Sequence, residues 1–288
     1  MTATSTPNKT IDQLRDDRLA MLQDIARELE GDLVFPVCFD ATIKISGIMK
    51  SPTASLQRIA QEIQHDPLIT AKLLQLANSV AYNPSGSPVH DVAQAINRIG
   101  LDTARGVALG CAMQQLRSSA ELAQFEDYSR TLWLHSLHTA AIAKVLARSL
   151  TRVNPELAQL AGLVHDLGAF YLLDRARNYP ELLERPKTLQ YLIAQWHESI
   201  GTIVLDNLAL PEAVIDAVRE NDVPRPTVET LRTLSDVVYV ANLFAGGMEE
   251  VMLLDLPEPH QALELNLPCY LELKPAMEQA CKELVGLW

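Results

Sequence analysis

At 288 residues the chain is long enough for one large domain or two medium ones, and its 48% hydrophobic content excludes a disordered protein. A formal net charge of −12, with no run of Lys or Arg, speaks against nucleic acid and against an anionic membrane surface as partners. Only 12 glycines disfavour a turn-rich sandwich or barrel, while plentiful Ala, Leu, Gln and Glu favour helix.

Met1 to Thr10 is polar and lacks the apolar centre of a secretory signal. Ile11 to Glu30 reads as a charged amphipathic helix marked by Leu14, Met21, Leu22 and Ile25, and Gly31-Asp32 ends it. Thr42 to Met49 is a short helix, broken by Ser51-Pro52-Thr53. Ser55 caps the next, in which Leu56, Ile59, Ala60 and Ile63 keep the helical period. Asp66-Pro67 starts another helix, since aspartate suits the cap and proline the first turn. Its predicted buried stripe is Ile69, Leu73, Leu76 and Val80. A loop spans Asn83 to Pro88. Asp91 caps a helix ending at Gly100, and Asp102 opens one that runs toward Leu116.

Ser118 to Asp127 is polar without an apolar stripe and reads as the joint between two lobes. Thr131 to Leu150 is a long helix carrying His135 and His138, and Asn154-Pro155 starts a helix leading into His165-Asp166. Further helices are predicted over Thr188 to Leu208, Pro211 to Glu220, Thr227 to Ala245 and Pro275 to Leu284. Pro224 and Pro226 form a stiff link, and Gly246-Gly247 is a stop. No segment alternates apolar and polar residues, so the predicted architecture is all-α, a multi-helix bundle in two lobes. The expected units are 1–30, a tail and helix; 31–118, the first lobe; 119–250, the second lobe; and 251–288, a helical extension. Cys38, Cys111, Cys269 and Cys281 form no CxxC pair and read as free thiols of a reducing compartment. No apolar run reaches the roughly 18 residues of a membrane span, so the cytoplasm is expected.

The chemistry concentrates at His165-Asp166, set in the apolar run Ala161 to Gly168, with His135 upstream. Such a pair is costly to bury without partners. A metal ion is one partner, and an internal hydrogen-bond network is the other. His138 shares a face with His135 and reads either as a ligand or as a half-buried structural histidine. His197 follows Trp196 and reads either as a packed Trp-His pair or as a pocket residue. Asn78-Ser79 stands at a helix end, where capping and turn formation compete with a role in a groove between lobes.

Several motifs in order carry a resemblance. Ser55-Leu56, Asp66 to Ser79, Asp91 to Ile96, Ile99 to Arg105, Leu132 to Ser136 and Gly162 to Gly168 resemble the signature of HDOD domains, over about Leu33 to Ala245. The resemblance implies a helical bundle used in bacterial signalling, related to HD phosphohydrolases and HD-GYP phosphodiesterases but usually without demonstrated catalysis. In the related enzymes a histidine, a His-Asp pair and a distant aspartate hold the metal. His135 matches the first position and His165-Asp166 the pair, while Asn242 stands where the aspartate belongs. Asn242 removes a negative charge, which predicts weakened metal binding and a vestigial site with no catalytic residue. Asp236 is a poor substitute, because six residues of helix turn it about 600° from Asn242. Ala169 stands where HD-GYP enzymes carry a lysine, and the stretch after Pro211 runs Arg219-Glu220-Asn221-Asp222 with no Gly-Tyr-Pro.

The predicted function is a non-catalytic signalling module that associates with a partner signalling protein or with itself. No cofactor is expected, although a divalent Mn, Fe, Mg or Ni ion fits the vestigial positions. The alternative is a metal-dependent phosphohydrolase acting on a nucleotide or cyclic dinucleotide. A third possibility, nucleotide sensing without hydrolysis, would draw on Lys72, Arg98 or Arg105 for positive charge.

Overall fold

The computed structural model describes residues 36–51, 53–118, 122, 125–179, 182, 185–219, 221–223, 225–247 and 262–288, with residues 23, 24 and 27. The predicted helix Ile11 to Glu30, the unit 1–30, Glu220 and Pro224 therefore lie wholly or largely outside the described residues. Within them every regular element is helical: α1 (Asp40–Lys50), α2 (Leu56–Gln64), α3 (Pro67–Ala77), α4 (Val92–Ile99), α5 (Leu101–Arg117), α6 (Glu126–Leu150) and α7 (Pro155–Val164). After these come α8 (Leu167–Ala176), α9 (Pro186–Asn207), α10 (Glu212–Val218), α11 (Leu234–Ala245), α12 (Pro268–Leu271) and α13 (Lys274–Leu287). Short 3₁₀ turns cover Val37–Phe39 and Leu263–Asn266. Among the described residues no helix is long and apolar enough to cross a membrane.

The predicted caps form. Ser55 accepts from the Arg58 amide at 3.2 Å, Asp66 from Leu68 and Ile69 at 2.9 and 3.0 Å, and Asp91 from Gln94 at 2.8 Å. Asn154 likewise accepts from Glu156 and Leu157 ahead of the helix that reaches His165. Each bond satisfies a backbone N–H that has no partner within its own helix.

Two expectations fail for local reasons. Val80 is 87% exposed, because α3 stops at Ala77. There the Asn78 side chain clamps Val89, donating to its carbonyl and accepting from its amide, both at 2.9 Å. Asn78 thus does structural work at the helix end. The predicted helix over Thr227 to Ala245 begins only at Leu234. Thr233 and Asp236 form a reciprocal capping box that starts it there, which also spends the Asp236 carboxylate on backbone amides.

Three apolar cores hold the described residues together. The first packs Ile45, Ile63, Ile69, Leu73, Val92 and Ile96 beneath α1–α4. The second joins α6–α10 through Leu137, Leu163, Phe170, Leu172, Leu205 and Val214. The third lies between α6, α11, α12 and α13, around Leu146, Val240, Leu243, Tyr270 and Met277. Helix α5 is the septum between the first two. Val107, Ala108 and Cys111 face the first core, and Leu109, Met113 and Leu116 face the second. A polar knot ties the same boundary. Lys144 Nζ donates to Tyr82 at 2.6 Å, Glu156 at 2.9 Å and Gln159 at 3.0 Å, and Tyr82 and Thr103 both donate to Glu156.

Helix α8 is buried at every position, as an apolar helix in mid-protein must be. Two glycines let backbones touch around it. A Cβ on Gly162 would stand 2.8 Å from the Thr139 carbonyl of α6, and one on Gly168 would stand 2.0 Å from the His197 carbonyl of α9. A Cβ on Gly201 would stand 3.4 Å from the Gly168 amide nitrogen, an ordinary contact. Gly168→Ala is therefore expected to cost on the order of 3 kcal/mol in urea unfolding, since backbone must move. Gly201→Ala, which gains helix propensity, should stay within about 1 kcal/mol of the wild type.

Candidate metal centre

The close crossings at Gly162 and Gly168 bring together residues far apart in the chain. His135 projects from α6, and His165 and Asp166 occupy the turn between α7 and α8. His197 and Glu198 lie on α9, Asn221 and Asp222 follow α10, and Asn242 lies on α11.

Asp166 is the hub. Its Oδ2 lies 3.2 Å from His165 Nε2 and 3.6 Å from His135 Nε2, and its Oδ1 lies 3.7 Å from His197 Nε2. His197 Nε2 also lies 2.9 Å from Asp222 Oδ2, and the Nε2 atoms of His135 and His165 are 3.1 Å apart. Two ligand-like groups result, His135–His165–Asp166 and Asp166–His197–Asp222, each with its ligand atoms within 4.8 Å of one another. Asp166 belongs to both.

The outer sides of the rings are tied to backbone. His135 Nδ1 donates to the Ala245 carbonyl at 3.3 Å, His165 Nδ1 to Gly162 at 2.8 Å and His197 Nδ1 to Ile193 at 2.9 Å. A carbonyl only accepts, so the hydrogen in each ring sits on Nδ1, and a neutral ring turns the Nε2 lone pair inward. Three lone pairs then face two carboxylates, an arrangement of acceptors that needs a cation or an added proton at its centre. Both Asp166 oxygens are buried with no hydrogen-bond donor aligned on them. A buried carboxylate left so is costly. The donor set of imidazoles and carboxylates, with each imidazole anchored from behind, fits a divalent transition metal.

The electrostatics of the metal-free site agree. Burial pushes His135 below its usual range, against the pull of Asp166. Burial acts on His165 in the same direction, but the Asp166 and Asp222 carboxylates outweigh it and hold that ring above its usual pKa. Burial would raise Asp166, yet the charge of His165 and the neighbouring rings keeps it well below the carboxylate range. Glu198 is pushed up to about 7 by burial and by Asp222, whose backbone amide it accepts.

His135, His165 and Asp166 thus converge, as their positions in the sequence implied. Asn242 lies against the centre but bonds to Asp222, its Nδ2 donating to Asp222 Oδ1 at 2.6 Å, with Asn221 donating to the same oxygen at 3.2 Å. The charge removed at Asn242 reappears at Asp222, a residue that sequence reasoning passed over. The His197 ring turns into the cluster, while Trp196 is 44% exposed. One sequence signal points there, because Gly201 stands one turn after His197 and Gly168 two residues after Asp166. No comparable signal marks Asp222 or Glu198. His138 stays outside, half-buried beside Ile142, Phe244 and Met277 in an open cleft. Lys72, Arg98 and Arg105 lie away from the cluster. Lys72 donates to the Leu287 carbonyl, Arg98 to the carbonyls of Ala77 and Ser87, and Arg105 faces Asp102 at 4.0 Å.

The HDOD domain profile matches residues 35–224. A protein from Shewanella amazonensis SB2B, provisionally named a metal-dependent phosphohydrolase, superposes with a TM-score of 0.63 at 23% identity, over 92% of this chain and 99% of that one. An HDOD domain protein of unknown function from Geobacter sulfurreducens gives 0.59 at 20% identity, over 95% and 99%. A protein from Marinobacter aquaeolei VT8, provisionally named a signal transduction protein, gives 0.55 at 20% identity, over 96% and 63%. At these identities the likeness establishes the all-helical fold. No curated protein matches the chain.

Asn242→Asp replaces the donor 2.6 Å from Asp222 Oδ1 with a third carboxylate of the cluster. The metal-free variant is expected to lose about 2 kcal/mol at neutral pH, through the lost bond and the like-charge contact. Urea unfolding with and without manganese measures this, and manganese should restore more stability to the variant than to the wild type.

Proposed function

This chain belongs to the HDOD domain family, and from that membership we propose that it is a signal-transduction module acting by association. Its His/Asp centre, in this reading, holds one divalent cation as an internal brace and turns over no substrate. One observation carries the proposal: His165, Asp166, His197 and Asp222 are each at most 2% exposed. Catalytic metal sites keep an open coordination position, whereas structural ones are closed by protein. Substrate would have to reach donors that four helices already enclose.

His135, His165, Asp166, His197 and Asp222 would hold the ion, with Asn242 and Asn221 orienting Asp222 from behind. When bound, the cation supplies the positive charge that lets three lone pairs and two carboxylates share one small volume. Imidazole donors favour Fe or Ni over Mg, and the carboxylates also suit Mn. The residues themselves fix three imidazoles by backbone bonds, exclude water and lock α6, the α7–α8 turn, α9 and α11 together. A partner signalling protein or a second copy would then read the outer surface of a stiffened bundle. The second reading, a phosphohydrolase, draws on His135, whose side chain at 11% exposure is the one part-open edge of the five.

Metal analysis of the purified full chain, followed by assays on a panel of nucleotide phosphodiesters, tests both readings. The expected result is about one equivalent of a first-row metal, no turnover, and stabilisation of about 2.7 kcal/mol at metal concentrations a hundredfold above Kd. Turnover that disappears in His165→Ala and Asp166→Ala would replace the brace with an enzyme. Protein that takes up no metal under any loading condition would remove the brace.

A further inference from the structure

Helices α11 and α13 both pack on α6, and between the three lies an open cleft of about 460 Å³. That volume is in the range of small-molecule sites, which are mostly apolar with a few polar groups. Its floor is apolar, formed by Ile142 of α6, Phe244 and Ala245 of α11, and Met277 and Val285 of α13. Ile142 and Met277 are buried beneath it, while Phe244 is only partly covered and so offers its ring to the cleft. Cys281 Sγ donates to the His138 carbonyl at 3.9 Å and seats α13 on α6 at one end. The cleft adjoins the metal centre, since the Ala245 carbonyl that anchors His135 belongs to its wall, but it shares none of the ligand atoms. Helices α11 and α13 lie beyond the residues 35–224 that the HDOD profile matches. The chain's own C-terminal part therefore makes this cleft against the family domain.

The rim carries charge of the opposite sign to the molecule as a whole. Lys274 and Lys282 of α13 line the cleft with His138 of α6, and Glu278 is the one acid among the described lining residues, in a chain of formal net charge −12. Glu278 stands four residues from each lysine, the spacing of a helical ion pair. Neither lysine pairs with it or with any other described residue. Both side chains are exposed at the rim, so their ammonium groups can meet an incoming acid. Eight residues of helix hold them about 12 Å apart. They flank the apolar floor and do not converge on one point. Burial holds His138 below its usual range, so its ring enters as a neutral polar group and the lysines supply the charge.

We propose that this cleft binds a small amphiphilic organic anion, its apolar acyl or aryl body on the floor and its acid group against Lys274 or Lys282. The floor takes the body out of water, and the lysines offset the repulsion that an acidic chain imposes on an anion. An inorganic anion needs donors that converge, which the spacing of the lysines denies it. A nucleotide needs several donors and acceptors for base and sugar, and the floor is mostly hydrocarbon. The site gives a signalling module a chemical input, and it stands whether or not the His/Asp centre holds a metal.

The test titrates the full chain with anilinonaphthalene sulfonate, an aryl anion that fluoresces in apolar surroundings, and with phenylnaphthylamine, the same body without the acid. The sulfonate should bind about tenfold more tightly than the amine. Lys274→Glu combined with Lys282→Glu should weaken the sulfonate about tenfold and leave the amine within about twofold. Lys44→Glu combined with Lys50→Glu makes the same change of net charge on α1, which packs on the first core, and should leave both dyes unaffected. Cys281→Phe fills the cleft and should weaken both. Near-ultraviolet circular dichroism confirms that each variant keeps its native packing, and if Cys281→Phe does not, the two lysine pairs decide. Decanoate or naphthyl phosphate should displace the sulfonate, the first marking an acyl site and the second an aryl one. Equal effects of the two lysine pairs, tighter binding of the uncharged amine, displacement by inorganic phosphate, or no displacement by either organic acid overturns the proposal. Metal content and turnover are measured apart from these titrations, so the two readings stand or fall separately.

Discussion

A carboxylate buried at the meeting point of four helical segments constrains this molecule most. Asp166 is fully buried, and three imidazole nitrogens surround it at 3.2–3.7 Å. The rings cannot relieve it as simple donors, because each spends its Nδ1 hydrogen on a backbone carbonyl. Positive charge must enter the cluster, as an added proton or as a cation. Whichever holds it there, removing a partner would strand a buried charge, which is why so much of the surrounding helix packing converges on this point.

Close backbone approach makes the convergence possible. Gly162 lets α7 press on α6 and so carries His165 to His135, and Gly168 lets α8 press on α9 and so carries Asp166 to His197. The His-Asp pair is flanked by the two residues that allow its partners to come near. Site and fold are one arrangement here, since a side chain at Gly168 would separate the helices before it touched any ligand.

Away from the centre, the boundary between the lobes is fastened by chemistry of another kind. The Lys144–Glu156–Tyr82 knot is a paired polar contact, with Lys144 held below its usual pKa by burial against the pull of Glu156. The packing of Trp288 on Gly110 and Trp133 is shape and aromatic contact. The first joins five side chains, Lys144, Tyr82, Glu156, Gln159 and Thr103, while the second ends a helix whose one fully buried residue is Met277. Stability is unevenly distributed in proteins, and the parts that move are drawn from the less buried end.

Local physics was legible along the chain. Ser55, Asp66, Asp91 and Asn154 announce helix starts because a side-chain oxygen one residue before a helix has few other uses, and the absence of alternation excludes strands. His135, His165 and Asp166 were legible because an apolar run containing His-Asp calls for a partner. The end of α3 and the late start of α11 were not, because the Asn78 clamp on Val89 and the Thr233–Asp236 box compete with helical continuation. Asn242 showed in the sequence as a lost charge, yet no spacing marked Asp222 as the residue that restores it. Asp222 reaches the cluster because α10 packs between α9 and α11. Sequence periodicity determines which face of a helix is apolar; which faces meet, and which carboxylate arrives there, depends on close packing between residues remote in the chain, and only the tertiary structure decided it.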